Sequence, residues 1–252
     1  MKKRKFLISL FSIAVLLLIW QLASALTASQ IILPSPLSVL SSLCAVVSSD
    51  GFAADVASTV LRALRSFVLI TVCGAALGIA AGRSSDFETA MRVPVTLLKA
   101  TPVMSVILLA YIWFRTGTVP VFASFLMAFP VMFVQTVQGV RNLDPGLEQM
   151  CSVYEIRRRK KLFNFTLPAL VPCFITGSKQ CLAMIWKVVI AAEVLTIPNA
   201  GVGRQLQLSQ IRLDTGSVFA WTVIAVILTF AGDLLFDFLL RKTLSGRYGN
   251  AA

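Results

Sequence analysis

The residues of this chain that could do chemistry are ionisable side chains placed inside apolar stretches. Lys99, Lys179, Lys187, Glu193, Asp233 and Asp237 all lie in or beside long apolar runs. A charge in hydrocarbon is costly and marks a functional site by default. The usual catalytic sets are missing. There is no histidine, which excludes imidazole acid–base, nucleophilic and metal chemistry. The five cysteines, Cys44, Cys73, Cys151, Cys173 and Cys181, are scattered, odd in number and without a CxxC spacing. They read as small buried hydrophobes. The sequence has no GxxxxGK[ST] phosphate loop, so it does not bind and hydrolyse ATP by that route. With no nucleophile–base or metal-ligand set either, no catalytic residue and no cofactor are expected.

The intramembrane charges differ in what they suggest. Asp237 and Arg241, at i and i+4, read as a pair near one membrane interface. Lys179 lies close enough to the same interface to snorkel. Glu193 sits toward the opposite end of its run, within reach of water or a loop. Lys187 stands twenty residues beyond Leu167, too deep for its ammonium to reach the nearer interface. Glu193 is six residues further on, which is not a same-face spacing. Lys187 would favour anions if it faces a passage; burial beside a polar group or an outer water pocket is the alternative.

The elements that hold these residues are apolar. Of 252 residues 57% are hydrophobic and 13% charged, with mean hydropathy +0.84, whereas soluble domains carry about a quarter charged residues. A bilayer core takes about 20 apolar residues per helix. Six runs qualify: Phe6–Leu26, Asp55–Gly82, Pro94–Phe114, Pro120–Val140, Leu167–Ile197 and Val218–Leu240. The first ends in Ala23-Ser24-Ala25, which mimics a signal-peptidase site, but its length favours an uncleaved helix. Prolines at Thr101-Pro102 and Phe129-Pro130 interrupt the third and fourth runs, either as a mobile packing element or as ordinary membrane kinks. Arg62 and Arg65, three residues apart, read as a pair snorkelling to the interface.

The net charge of +12 does not point to nucleic acid, because Lys and Arg gather at Lys2–Lys5, Arg157–Lys161 and Arg241–Arg247, flanking apolar runs. That is the positive-inside pattern. Six spans then put both termini in the cytoplasm, in one all-α transmembrane domain of residues 1–252. The one long basic loop, residues 141–166, falls on the same side. Leu147, Met150, Cys151 and Tyr154 share a helical face in it, and a merely solvated loop gains nothing from that alignment.

The segment Gln149-Met150-Cys151-x-x-x-Glu155, followed by Leu167-Pro168 and Gly177, resembles the cytoplasmic Glu-Ala-Ala-x-x-x-Gly loop and later Leu-Pro of the membrane permease subunits of binding-protein-dependent ABC importers. The branch handling nitrate, sulfonates and taurine is the most similar. Several other segments fit it in the same order: Lys99-Ala100-Thr101-Pro102 before Trp113-Phe114-Arg115-Thr116-Gly117, then Phe129-Pro130 with Gly139-Val140. Trp186 through Ala192-Glu193, Gly201-Val202-Gly203, and Val218-Phe219-Ala220-Trp221 complete the series. The likeness runs from about residue 54 to about residue 246. Five positions depart from the pattern: Cys151 is a fair small substitute for the second Ala, Gln149 loses a charge, Met150 is larger than Ala, and Glu155 and Arg115 stand where relatives have Gly. A Glu at a turn with positive φ is strained.

The resemblance implies a type I importer permease in the cell inner membrane. A short coupling helix over Leu147–Arg158, including Gln149, Met150, Cys151, Tyr154, Glu155, Arg157 and Arg158, would seat in a groove of cytoplasmic ABC ATPase subunits. Arg157–Lys161 would face lipid headgroups or acidic ATPase surface. An extracytoplasmic solute-binding protein would deliver a small solute, such as a sulfonate, nitrate or vitamin precursor. A second copy or a related permease would complete the pathway, whose candidate residues are Lys187, Glu193 and Lys99. Pro102, Pro130, Pro168, Gly177, Gly201 and Gly203 are the structural positions of the pattern. The rival reading is a secondary transporter or channel subunit working without an ATPase, which would need inverted repeats that this sequence does not display.

Overall fold

The computed structural model describes residues 2–27 and 29–244. Within these, the side chains of residues 2–7, 9, 10, 145, 147, 148, 152, 158, 243 and 244 lie outside the description. Among the described residues the chain is helical, without strands. The helices are α1 (Lys2–Thr27), α2 (Pro36–Val47), α3 (Phe52–Arg83), α4 (Ser85–Ala100), α5 (Val103–Trp113), α6 (Val119–Arg141), α7 (Pro145–Val153), α8 (Arg158–Lys161), α9 (Leu167–Thr196), α10 (Val202–Ile211) and α11 (Thr215–Leu244). A π-helical turn, Leu162–Thr166, joins α8 to α9.

The core is a three-helix stack with α6 between α3 and α9. Small residues make the approach close, as membrane helices require where there is little hydrophobic drive between them. Gly74, Gly78 and Gly82 recur every fourth residue on α3 and face Met132, Thr136 and Val140, spaced the same way on α6. A β-carbon on these glycines would come within 2.7, 2.6 and 2.5 Å of those three Cβ atoms. On the other flank Gly139 meets Cys173 and Leu170, and Gly177 meets Met132 and Gln135. Ile70, Met132, Ile185 and Val189 fill the centre. Pro130 sits buried inside an unbroken α6, and Pro168 lies just after the π-helical turn that leads into α9.

Among the described residues four helices, in α3, α6, α8–α9 and α11, are long and apolar enough to cross a membrane; a bent pair would make a fifth. That pair, α4 and α5, differs from the single kinked span expected over Pro94–Phe114, because the chain turns by 99° at Thr101-Pro102. Thr101 is extended (ψ 128°), as the residue before proline prefers, and Pro102 begins the new helix. Helix α1 carries an apolar stretch that includes Phe11–Thr27. Trp20 ties α1 to the bundle by donating from Nε1 to the Pro34 carbonyl at 3.1 Å and stacking on Phe219.

Candidate functional site

One end of the bundle carries the basic residues and the short helix α7. Asp144 opens α7 by accepting the Gly146 N–H at 2.8 Å. The helix closes when the Ile156 N–H reaches the Cys151 carbonyl at 3.0 Å, with Glu155 between them at φ +47°. Glu155 therefore adopts the left-handed turn that glycine normally fills, at a cost of about 1 kcal/mol or more. Among the described residues α7 packs extensively on no other helix. Met150 and Tyr154 are 53% and 72% exposed, Gln149, Glu155 and Arg157 are exposed, and Cys151 is half-buried. The side chains of Leu147 and Arg158 lie outside the described residues. Around α7, Arg141 forms an ion pair with Glu88, and Arg83 donates to Thr166 Oγ1 at 3.2 Å. The helix projects from a fixed rim.

The opposite end holds a buried polar hub that the sequence did not reveal. Glu193 is fully buried on α9 and meets Arg62 Nη1 of α3 at 2.6 Å. Arg62 also donates to the Ala200 carbonyl at 2.7 Å, and Thr59 donates to Glu193 Oε2 at 2.8 Å. Arg62 is thus not snorkelling, contrary to expectation: it points inward, while Arg65 on the neighbouring face is exposed. The hub grips the start of α10 by its free amides. The Gly201 N–H donates to Asp55 Oδ1 at 2.8 Å, the Val202 N–H to Thr59 Oγ1 at 2.9 Å and the Gly203 N–H to Glu193 Oε2 at 3.0 Å. Orphan amides and the positive helix end meet two carboxylates. Gly201 has φ +153°, and a β-carbon there would stand 2.7 Å from Glu193 Oε2.

A third group of polar residues lies between the two ends. Lys187 is exposed on α9, although Ile185, Trp186, Val188 and Val189 beside it are buried. Gln180 is exposed and accepts from Gln135 Nε2 of α6 at 3.3 Å; Thr176 and Gln138 are also exposed. Lys179 faces elsewhere and meets Asp237 of α11 at 2.6 Å. Asp237 therefore pairs across helices rather than with Arg241, because α11 turns it toward α9. Lys99 is exposed in the last turn of α4, beside the Thr101-Pro102 break.

The chain is similar to known transport proteins. Residues 74–245 match the family described as binding-protein-dependent transport system inner membrane component. A Bacillus subtilis protein provisionally assigned as an aliphatic sulfonates transport permease is 26% identical over 93% of this chain and 85% of its own length. The taurine transport system permease protein of Escherichia coli is 25% identical over 95% of this chain and 89% of its own length. The nitrate import permease protein of Synechocystis is 25% identical over 76% and 72%.

Proposed function

From the premise that the chain belongs to the binding-protein-dependent transport inner-membrane component family, we propose how it works as a permease. It is a transmembrane subunit of an ATP-driven ABC importer, a multi-pass inner-membrane protein and not an enzyme. Residues 1–252 act as one transmembrane domain, with the cytoplasmic coupling loop at 141–166. The first helix and the bent α4–α5 pair join the four long helices as spans, giving six crossings with both termini in the cytoplasm. The excess of Lys and Arg at the α7 end supports that orientation. A second copy or a related permease faces this one across the pathway. An external binding protein delivers a small oxyanion, the class to which nitrate and the sulfonates in the relatives' names belong.

The observation that carries the coupling role is the exposed apolar face of α7. Met150 on α7 and Tyr154 just past its end are 53% and 72% exposed at the basic rim. In this reading Leu147, Met150, Cys151 and Tyr154 seat in an apolar groove of the ATPase, and Gln149, Glu155, Arg157 and Arg158 lie at its polar margin. Closure of two ATPases on ATP draws these helices together and reorients the bundle. Met150→Asp places a charge in that groove and is expected to abolish co-purification of the ATPase with the tagged chain. Undiminished co-purification would overturn the assignment.

A further inference from the structure

Helix α3 carries two arginines three residues apart, and only one of them has an anion inside the protein. Arg62 is held by Glu193 in the hub. Arg65 is exposed, and among the described residues it pairs with no carboxylate. A guanidinium is not deprotonated in proteins, so beside hydrocarbon it needs a counter-ion or water. Asp55 and Glu193, the carboxylates at this level of the bundle, are taken up within the hub.

The depth of Arg65 follows from the helix that carries it. Helix α3 is long and apolar enough to cross a membrane. Arg83, at the basic rim, lies 18 residues beyond Arg65, about 27 Å at 1.5 Å per residue, against a hydrocarbon core of about 30 Å. Helical side chains lean toward the N-terminus, so the guanidinium leans toward the hub end, where the headgroups of that leaflet lie. Around it the surface is apolar. Leu61, Leu64, Val68, Leu69, Val72 and Cys73 line a groove of about 480 Å³ with Arg65, on the side of α3 away from the buried Ala63 and Ile70. From Arg65 to Cys73 the groove runs about 12 Å toward the bilayer centre, most of one leaflet's share of the core, about 15 Å.

We propose that this groove seats one glycerophospholipid of the leaflet at the hub end, its phosphate on the Arg65 guanidinium and an acyl chain along Val68, Leu69 and Val72. The planar guanidinium matches two phosphate oxygens at once, and the apolar lining continues where the chain of such a lipid must lie. A lipid thus answers both the charge and the groove. A transmembrane helix of a second copy would cover the apolar part only, because its own Asp55 and Glu193 are enclosed in its hub. The site goes beyond the transport role: it depends on α3 crossing the membrane, not on the ATPase or the solute.

The test uses the full chain in its membrane complex in mild detergent, with dioleoyl phosphatidylglycerol added and bound lipid counted by native mass spectrometry. The wild-type chain should retain one such lipid, and dioleoylglycerol, which has the same chains without the phosphate, should wash away. Arg65→Leu should lower the retained fraction about ten-fold, the effect of removing one charged hydrogen-bonding contact, and Arg65→Lys should keep most of it. Val68→Trp should lower retention with Arg65 intact, whereas Val226→Trp, on the exposed face of α11, should not. A photoreactive benzoylphenylalanine at position 68 then identifies the occupant. Cross-links to lipid support the site; cross-links to a second copy or to another subunit overturn it. Equal retention by Arg65→Leu and wild type, or equal retention of the two lipids, would also overturn it. None of these readouts passes through Met150, so failure here is distinguishable from failure of the coupling assignment.

Discussion

Arg62 and Glu193 form a charge pair that breaks unevenly. Removing one member of a buried pair leaves an unpaired charge and typically costs about 3–5 kcal/mol, whereas replacing both is often close to neutral. Glu193→Gln is therefore expected to lower the thermal midpoint of the detergent-solubilised chain markedly, with Arg62→Met plus Glu193→Gln lying closer to wild type. A double variant as unstable as the single would show that the α10 amides, rather than the ion pair, are what the hub protects. At Glu155 the direction reverses. Glu155→Gly relieves a φ of +47° and should preserve ATPase co-purification, whereas Glu155→Val, β-branched in a left-handed turn, should reduce it. Sequence flagged Glu193, Gly201, Gly203 and the oddity of Glu155 one at a time. It could not join Glu193 to Arg62 across 131 positions. One signal was available: Asp55, Thr59, Arg62 and Ser66 repeat at helical spacing on the face that also carries Ala63, Ile70 and Gly74. Such a polar row belongs inside a bundle.

For the helices, period and composition read well and breaks read poorly. The four long spans were legible because about 20 consecutive apolar residues have few other uses. The 99° turn at Thr101-Pro102 was not, since a proline in an apolar run can kink, break or sit quietly, as Pro130 does in α6. What separates the two is tertiary: Phe129 and Pro130 are packed among buried neighbours, while Pro102 stands exposed beside the half-buried Thr101. The row Gly74, Gly78 and Gly82 was visible as a four-residue repeat and sets how closely α3 meets α6. Gly78→Ile drives a branched side chain into Thr136 and should cost about 2–3 kcal/mol or more, read as loss of folded chain from the membrane. Gly117, whose added β-carbon would meet nothing within 4 Å, should tolerate Ala.

At the scale of the whole molecule, charge placement organises the parts. The basic residues, the projecting α7 and the rim pairs Arg141–Glu88 and Arg83–Thr166 share one end; the hub and α10 share the other. Between them Lys187 is exposed on α9. Helix α9 joins the two ends: it follows the α7–α8 segment, carries the exposed Lys187 and finishes at the hub. The family was readable in advance because the order of loop and helix motifs is a sequence property. The Gln135–Gln180 contact was not readable, since the two become neighbours only when α6 and α9 pack. The measurement that tests the account most directly is a mild-detergent pull-down of the tagged chain from its native membrane, with partners identified by mass spectrometry. The account predicts recovery of a soluble subunit carrying a GxxxxGK[ST] phosphate loop. Recovery of this chain alone, with transport persisting in the absence of ATP, would contradict it.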